Sequence, residues 1–462
     1  MIITALGIGL STGWMLPAQA PADPAKGPQW KDRAEYDLAD AYSKAPDGKG
    51  RLAALDKWTA ANSDSEMFAM RDEFYLGTYG ELKENRKAFD RAKAMRAKNA
   101  NNYFAITTIL ANIYAFTPLP PAAADLATAE ETAKYVLDNG DKIFTPANKP
   151  ATMADEAWAK SLPQYRPAIT ALALRTNAWI WVQRKDDVRA ETELTKVSQS
   201  DPDQPAFSYM LGTAKFNQYL KNKTLLAKVP EAIFQFARAA VYAGPAANTV
   251  SAANKTAYLN TATSLYKQYH GSDDGFPALL ALAKTSAMPP ADFKILSVNE
   301  IEEAKFKNAA EYDAAHPQQT FWRDAVRTPL TGADADKLFM ENYKDSSLPP
   351  GPPNSPMAMF KAKIISMTPE TSPKEMTVAI FDANIPDAKL TFNPALPGTM
   401  AVGSDIEFKG TVTAFQKEPF MVTFAIDMEE KELVGWTGTG PVGKAAPKGK
   451  AKAKAAPKGK AK

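Results

Sequence analysis

The chain has 462 residues, more than one compact core accommodates, so two or three domains are expected. It contains no cysteine, which excludes a thiol nucleophile, a cysteine-ligated zinc or iron–sulfur cluster, haem attached through cysteine and a lipid anchor on an N-terminal Cys, and which suits an oxidising compartment. The net charge of +3 misleads: Lys444, Lys448, Lys450, Lys452, Lys454, Lys458, Lys460 and Lys462 stand in a tail without an acid, and the rest of the chain carries −5.

Residues 1–22 read as a signal peptide. Met1 to Leu16 is apolar, and Ala18-Gln19-Ala20 or Ala20-Pro21-Ala22 offers the small-x-small cleavage pattern, although no Lys or Arg precedes the apolar run. Pro17, Pro21, Pro24 and Pro28 follow at once and argue against a helix that continues into the body. The expected address is therefore exported, periplasmic or secreted. No later segment approaches the ~20 apolar residues of a membrane span.

From Trp30 to about 330, alanine-rich stretches with Leu, Trp and Tyr at helical spacing predict helices packed on helices. Expected helices cover Trp30 to Ser43, Gly50 to Asn62, Asn101 to Phe116, Leu126 to Asn139 and Ala252 to Tyr269. Between Ala171 and Asp203, Leu174, Ala178, Trp181, Ala190, Leu194, Val197 and Pro202 stand where a 34-residue helical-hairpin repeat places large, small, aromatic, small, large, small and proline residues. In this arrangement Ala178 and Ala190 let two helices approach, Trp181 and Leu194 fill the space between them, and Pro202 ends the second helix. A further unit opens at Leu211-Gly212 with its second helix, at Ala232, Phe236 and Ala239, displaced by eight residues. A looser one spans Glu66 to Asn102, with Leu76, Tyr79, Ala88 and Ala92. On these residues, over roughly 30 to 285, the chain resembles the tetratricopeptide repeat (TPR) family. The resemblance implies an α-solenoid over 30–330 whose concave groove holds a protein partner, with Arg175, Trp179, Tyr209, Thr213 and Phe216 facing it.

A helix at Ala333 to Tyr343 and a proline-rich stretch, Leu348 to Pro356, predict a linker over 331–356. After it the period becomes two, the strand signal, at Phe360 to Ile364, Met376 to Ile380, Leu390 to Phe392, Ile406 to Val412 and Phe420 to Met428. Phe360, Phe392, Phe408 and Phe424 fall on the apolar faces and read as core. Five strands over 357–437, with Val402 to Gly410 leading into a strand that bends at glycine, resemble bacterial OB-like small barrels. The expected fold class is α+β multidomain: an all-α TPR-like solenoid, a small OB-like β-barrel and a disordered Lys/Ala/Pro tail over 438–462.

No catalytic constellation stands out, and neither an enzymatic activity nor a cofactor or metal is expected. There are two histidines, and His270 is followed by Gly271 as a helix stop. Asp201-Pro202-Asp203 begins like a calcium loop but has Ala206 and Gly212 where Gly and Glu are required. Gly438, Gly440 and Gly443 have dinucleotide-loop spacing but no helix after them. Glu130-Glu131 and Glu302-Glu303 point apart on helices and read as solvated faces. The expectation is a non-enzymatic scaffold or adaptor of the bacterial cell envelope that binds an unidentified protein. The alternative is a polyanion-binding module acting through the lysine tail and the barrel, on an anionic polymer or membrane surface before nucleic acid.

Overall fold

The computed structural model describes residues 28–116, 118–222, 225–381 and 385–438. The expected signal peptide and lysine tail lie outside the described residues. The chain divides into two compact units, with the main division between Lys294 and Ile295.

The first unit is helical: α1 (Arg33–Lys44), α2 (Gly48–Ala61), α3 (Phe68–Glu81), α4 (Asn85–Lys98), α5 (Tyr103–Asn112), α6 (Ala123–Ile143), α7 (Asp155–Gln183), α8 (Asp187–Ser200), α9 (Pro205–Lys221), α10 (Lys228–Val241), α11 (Ala252–His270) and α12 (Phe276–Thr285). Their starts are set by side-chain caps: Asp32, Asp47, Asn102 and Asp186 each accept a hydrogen bond from a backbone N–H in the first turn of α1, α2, α5 and α8. From α1 to α8 each helix packs on the next. Small residues make this possible, since Ala88, Ala92, Ala105, Ala129, Ala133, Ala178 and Ala190 are buried at the contacts. At Gly212 an added Cβ would lie 3.0 Å from the Ala232 carbonyl oxygen and from the Phe236 ring, so α9 and α10 meet almost backbone to backbone. The longer turn expected between them is present, because α9 ends at Lys221 and α10 begins at Lys228.

Two helical hairpins share one corner. In the α3–α4 turn Lys83 is left-handed (φ 57°), the Glu84 N–H donates to the Tyr79 carbonyl and the Ala88 N–H to the Glu84 carbonyl. In the α7–α8 turn Lys185 is left-handed (φ 58°), the Asp186 N–H donates to Trp181 and the Ala190 N–H to Asp186. Helix α7 departs from a short repeat helix. It runs through Pro163 and Pro167 and begins well before the expected start at Ala171.

The second unit is built on a curled eight-stranded sheet, a half-barrel: β1 (Ser347–Leu348), β2 (Phe360–Thr368), β3 (Glu375–Ala379), β4 (Ala388–Phe392), β5 (Asp405–Phe408), β6 (Gly410–Lys417), β7 (Phe420–Ile426) and β8 (Leu433–Val434), in the order β1-β6-β7-β4-β3-β2-β5-β8. The pairs are antiparallel except β4 with β7, which is parallel. Five strands were expected. The expected strand from Ile406 to Val412 is two, parted only at Lys409, and β1 and β8 are two-residue additions at the edges. Gly410 permits the bend, because a Cβ there would come within 2.6 Å of the Ile426 side chain.

The core of the sheet corrects the expected boundaries. Phe360, Phe392, Phe408 and Phe424 are buried in it as anticipated, and so are Trp322, Val326, Leu330 and Phe339. These come from short helices and wide π-helical turns at Trp322–Arg327 and Phe339–Tyr343. The chain from Ile295 onward thus belongs with the sheet rather than with the helical array. Leu348, expected to open a linker, is buried in β1.

Candidate partner-binding surface

The five residues expected to line a groove lie on α7 and α9, four or three residues apart on one face of each helix. They do not form one cluster. Arg175 is 8 % exposed and its guanidinium donates to the Asp201 carboxylate at 2.7 Å, tying α7 to the end of α8. Trp179 is 4 % exposed and packs against Tyr114, with ring centroids 4.9 Å apart. Tyr209 faces the other way along the array, stacked on Tyr258 at 4.1 Å and tilted against Phe236 at 5.3 Å. Thr213 donates back to the Tyr209 carbonyl at 2.9 Å, and Phe216 lies 5.8 Å from Tyr219. Tyr209, Thr213 and Phe216 are half-buried and keep some surface, whereas Arg175 is tied within its own hairpin and Trp179 is packed against the preceding one.

The strongest electrostatics of the array lie elsewhere, among α8, α9 and α10. The buried Lys215 ammonium donates to Glu191 at 2.7 Å and also to Glu231, while Lys228 and the Gln218 amide reach the other Glu191 oxygen at 2.6 Å each. Burial pushes the Glu191 carboxyl up, but the hydrogen bonds from Lys215, Lys228 and Gln218 outweigh it and hold the group below its usual range. Burial likewise works to lower the Lys215 pKa, and its two carboxylate partners raise it instead. This network spans the long turn after α9 and holds α10 in its displaced position.

Farther along α10, Arg238 is 1 % exposed, and its guanidinium donates to two backbone carbonyls, Ser286 and Pro202, at 2.6 Å each. Burial lowers its pKa, with Asp203 acting against that. Asp203 itself accepts from Tyr242, over whose ring Arg238 lies, and Asp201 is held by Arg175. Both acids of the calcium-like tripeptide are therefore engaged. Neither Lys215 nor Arg238 was singled out from sequence. A lysine or arginine within an otherwise apolar helical face, as at Arg238 in Phe234 to Val241, is the signal that marks such residues.

A buried carboxylate also anchors a connector in each unit. Glu73 accepts from the Ala151 and Thr152 N–H groups at 2.8 Å each and from the Thr152 hydroxyl at 2.6 Å, pinning the segment before α7 onto α3. Asp387 accepts from the N–H groups of Ile380 and Phe381 and lies 3.3 Å from the Arg327 guanidinium. Burial raises the pKa of both.

Two lysines of the sheet are matched by acids, Lys363 bonding Asp405 at 2.6 Å across β2 and β5 and Lys389 bonding Glu375 at 3.1 Å across β4 and β3, while Lys361 on β2 is exposed. Among the described residues no group of three or more His, Asp or Glu is placed to hold a metal ion, and no helix is long and apolar enough to cross a membrane. Glu130 and Glu131 do point apart, Glu130 pairing with Arg184 and Glu131 with Arg96. Compared with known proteins, the sequence matches no family model, no curated protein and no solved structure.

Proposed function

We propose that the chain is a non-enzymatic scaffold, a TPR-like array that binds a partner protein and carries an OB-like domain, exported to the bacterial cell envelope. The observation that carries this reading is the repeated corner. Tyr79, Lys83, Glu84 and Ala88 recur as Trp181, Lys185, Asp186 and Ala190 with the same hydrogen bonds, two hairpins farther along, with α5 and α6 between them. Hairpins repeated along a chain stack on their neighbours and leave an extended surface, and holding other proteins is the use such surfaces serve. On that surface the half-buried Tyr209, Thr213 and Phe216 are the better candidates for contact, since Arg175 and Trp179 are occupied in packing.

The OB-like reading is supported by strand connectivity. With β5 and β6 taken as one strand bent at Lys409–Gly410, the chain of pairs β2-β3-β4-β7-β6/β5-β2 closes on itself as a five-stranded ring. The paired Lys363 and Lys389 disfavour this sheet as a polyanion platform, leaving the lysine tail to carry that alternative.

Affinity capture from envelope extract tests the proposal, using residues 23–442 beside the same chain with its tail, at low and high salt. A protein retained by both and resistant to salt supports the scaffold. Capture that needs the tail and vanishes with salt replaces it with the polyanion reading.

A further inference from the structure

We propose that the face of α10 beneath residues 286–294 is a recognition site for an irregular apolar peptide, filled in this structure by the chain's own segment as an autoinhibitory strap. The inference rests on reading the array as a protein-binding scaffold.

Between the end of α12 at Thr285 and Val298 the chain forms neither helix nor strand; it bends at Ala287 and Met288 and turns at Ala291 and Asp292, where the Phe293 N–H donates to the Pro290 carbonyl at 3.0 Å. It leaves α12 and runs against α10, where two polar side chains read its backbone. The Arg238 guanidinium donates to the Ser286 carbonyl at 2.6 Å, and the Gln235 amide lies 3.3 Å from the Ala287 carbonyl and 3.4 Å from Met288 Sδ. Two apolar anchors follow. Met288 packs against the cluster that holds Trp179, Leu194 and Leu211, and Phe293 meets Phe234 edge to face with centroids 5.3 Å apart.

Exposure separates the site from its occupant. Phe234, Gln235 and Arg238 are at most 1 % exposed, while Ser286, Ala287, Met288, Pro289 and Phe293 are only half-buried and Pro290, Ala291 and Asp292 lie in solvent. A buried guanidinium bonded only to carbonyls, without a hydrogen-bonded carboxylate, is costly as a stability device. It is well suited to reading an irregular backbone, whose carbonyls are not taken up by helix or sheet bonds. Gln235 Oε1 is also buried without a partner, an acceptor that the strap leaves unused and that a ligand N–H would fill. Carbonyl-reading donors just ahead of two apolar anchor positions define the ligand class: a segment with Met-like and Phe-like residues about five positions apart across a turn.

The test uses the full chain and a fluorescent peptide of residues 285–294. The wild type is expected to bind it weakly because the strap is in place. Met288→Asp with Phe293→Asp is expected to free the face and tighten binding at least tenfold, and adding Arg238→Met to remove that gain. A double variant that keeps its helical circular dichroism but gains no binding overturns the proposal, and one that loses its helical signal also overturns it by making the strap integral to the fold. Hydrogen exchange on the wild type gives an independent reading. Amides of Met288, Ala291 and Asp292 are expected to exchange at least tenfold faster than those at the centre of α10, and equal protection overturns the strap. No partner protein enters either measurement, so failure of the envelope capture and failure of the strap are distinguishable.

Discussion

The two units solve the burial problem differently. The helical array divides its interior among separate clusters: one under α1–α3, one from α3 to α9, one around Tyr103 and Trp158, and one at Tyr258. The curled sheet gathers its side chains into a single cluster, from Trp322 to Leu433. A repeat array is stabilised by neighbour contacts and tolerates local damage, whereas one shared core fails as a whole. Substitutions of comparable size should therefore have local effects in the first unit and collective effects in the second.

The largest effect is expected from Trp322→Ala. It removes the biggest side chain of the shared core, which touches Phe360, Phe420 and Phe424, and should cost about 3–5 kcal/mol. Urea unfolding followed by near-ultraviolet dichroism should show the sheet transition moving while the helical transition stays. If both move together, the division at Lys294 does not separate cooperative units. Next comes Lys215→Met, which leaves Glu191 and Glu231 without their shared cation and should cost about 3 kcal/mol. Exchange rates should rise in α10 and leave α3 and α4 unchanged.

The α7–α8 hairpin was legible in Ala171 to Asp203 because close helix approach demands small residues at fixed spacing, and Ala178 and Ala190 state that demand locally. The sheet was legible from its alternation, down to the four core phenylalanines. The helical stretch from Ala333 to Tyr343 was legible too, but the chain from Ile295 to Leu330 was not. Trp322, Val326 and Leu330 recur every fourth residue and announce a buried helical face, but spacing says nothing about whether helices or a sheet cover it. The strap was hidden for a different reason, since Met288, Pro289 and Pro290 have no period. The expected groove suffered from a third ambiguity: Arg and Trp on an array helix serve a partner or the array's own packing equally well, and Arg175 and Trp179 are engaged within the array.

A smaller effect is expected at the closest helix approach. Gly212→Ala improves helix propensity by about 1 kcal/mol but pushes a methyl group to 3.0 Å from the Ala232 carbonyl, where overpacking costs about 1–3 kcal/mol. The net should be about 1 kcal/mol of destabilisation in thermal unfolding. An unchanged or higher midpoint means that α10 yields, and that the displaced helix is held less firmly than Lys215 suggests.

The smallest effect is a slope. Burial raises the Glu73 pKa above its ordinary value near 4.5, so its titration favours the folded state below that value and this contribution is lost as pH rises through the folded pKa. Stability of the wild type relative to Glu73→Gln should accordingly fall as pH rises from acid toward neutrality. A relative stability that climbs over that interval would reverse the assignment and show the three hydrogen bonds from Ala151 and Thr152 outweighing burial.

The repeated corner has a consequence for engineering. Lys83 and Lys185 hold a left-handed backbone that a glycine adopts without the steric penalty of a Cβ, a penalty of about 1–2 kcal/mol. Both hairpins thus keep untapped stability at the point where the chain reverses, partly offset by the greater unfolded freedom of glycine. A thermally hardened version of this array could begin at those two lysines, without touching a helix, a core residue or the candidate binding face.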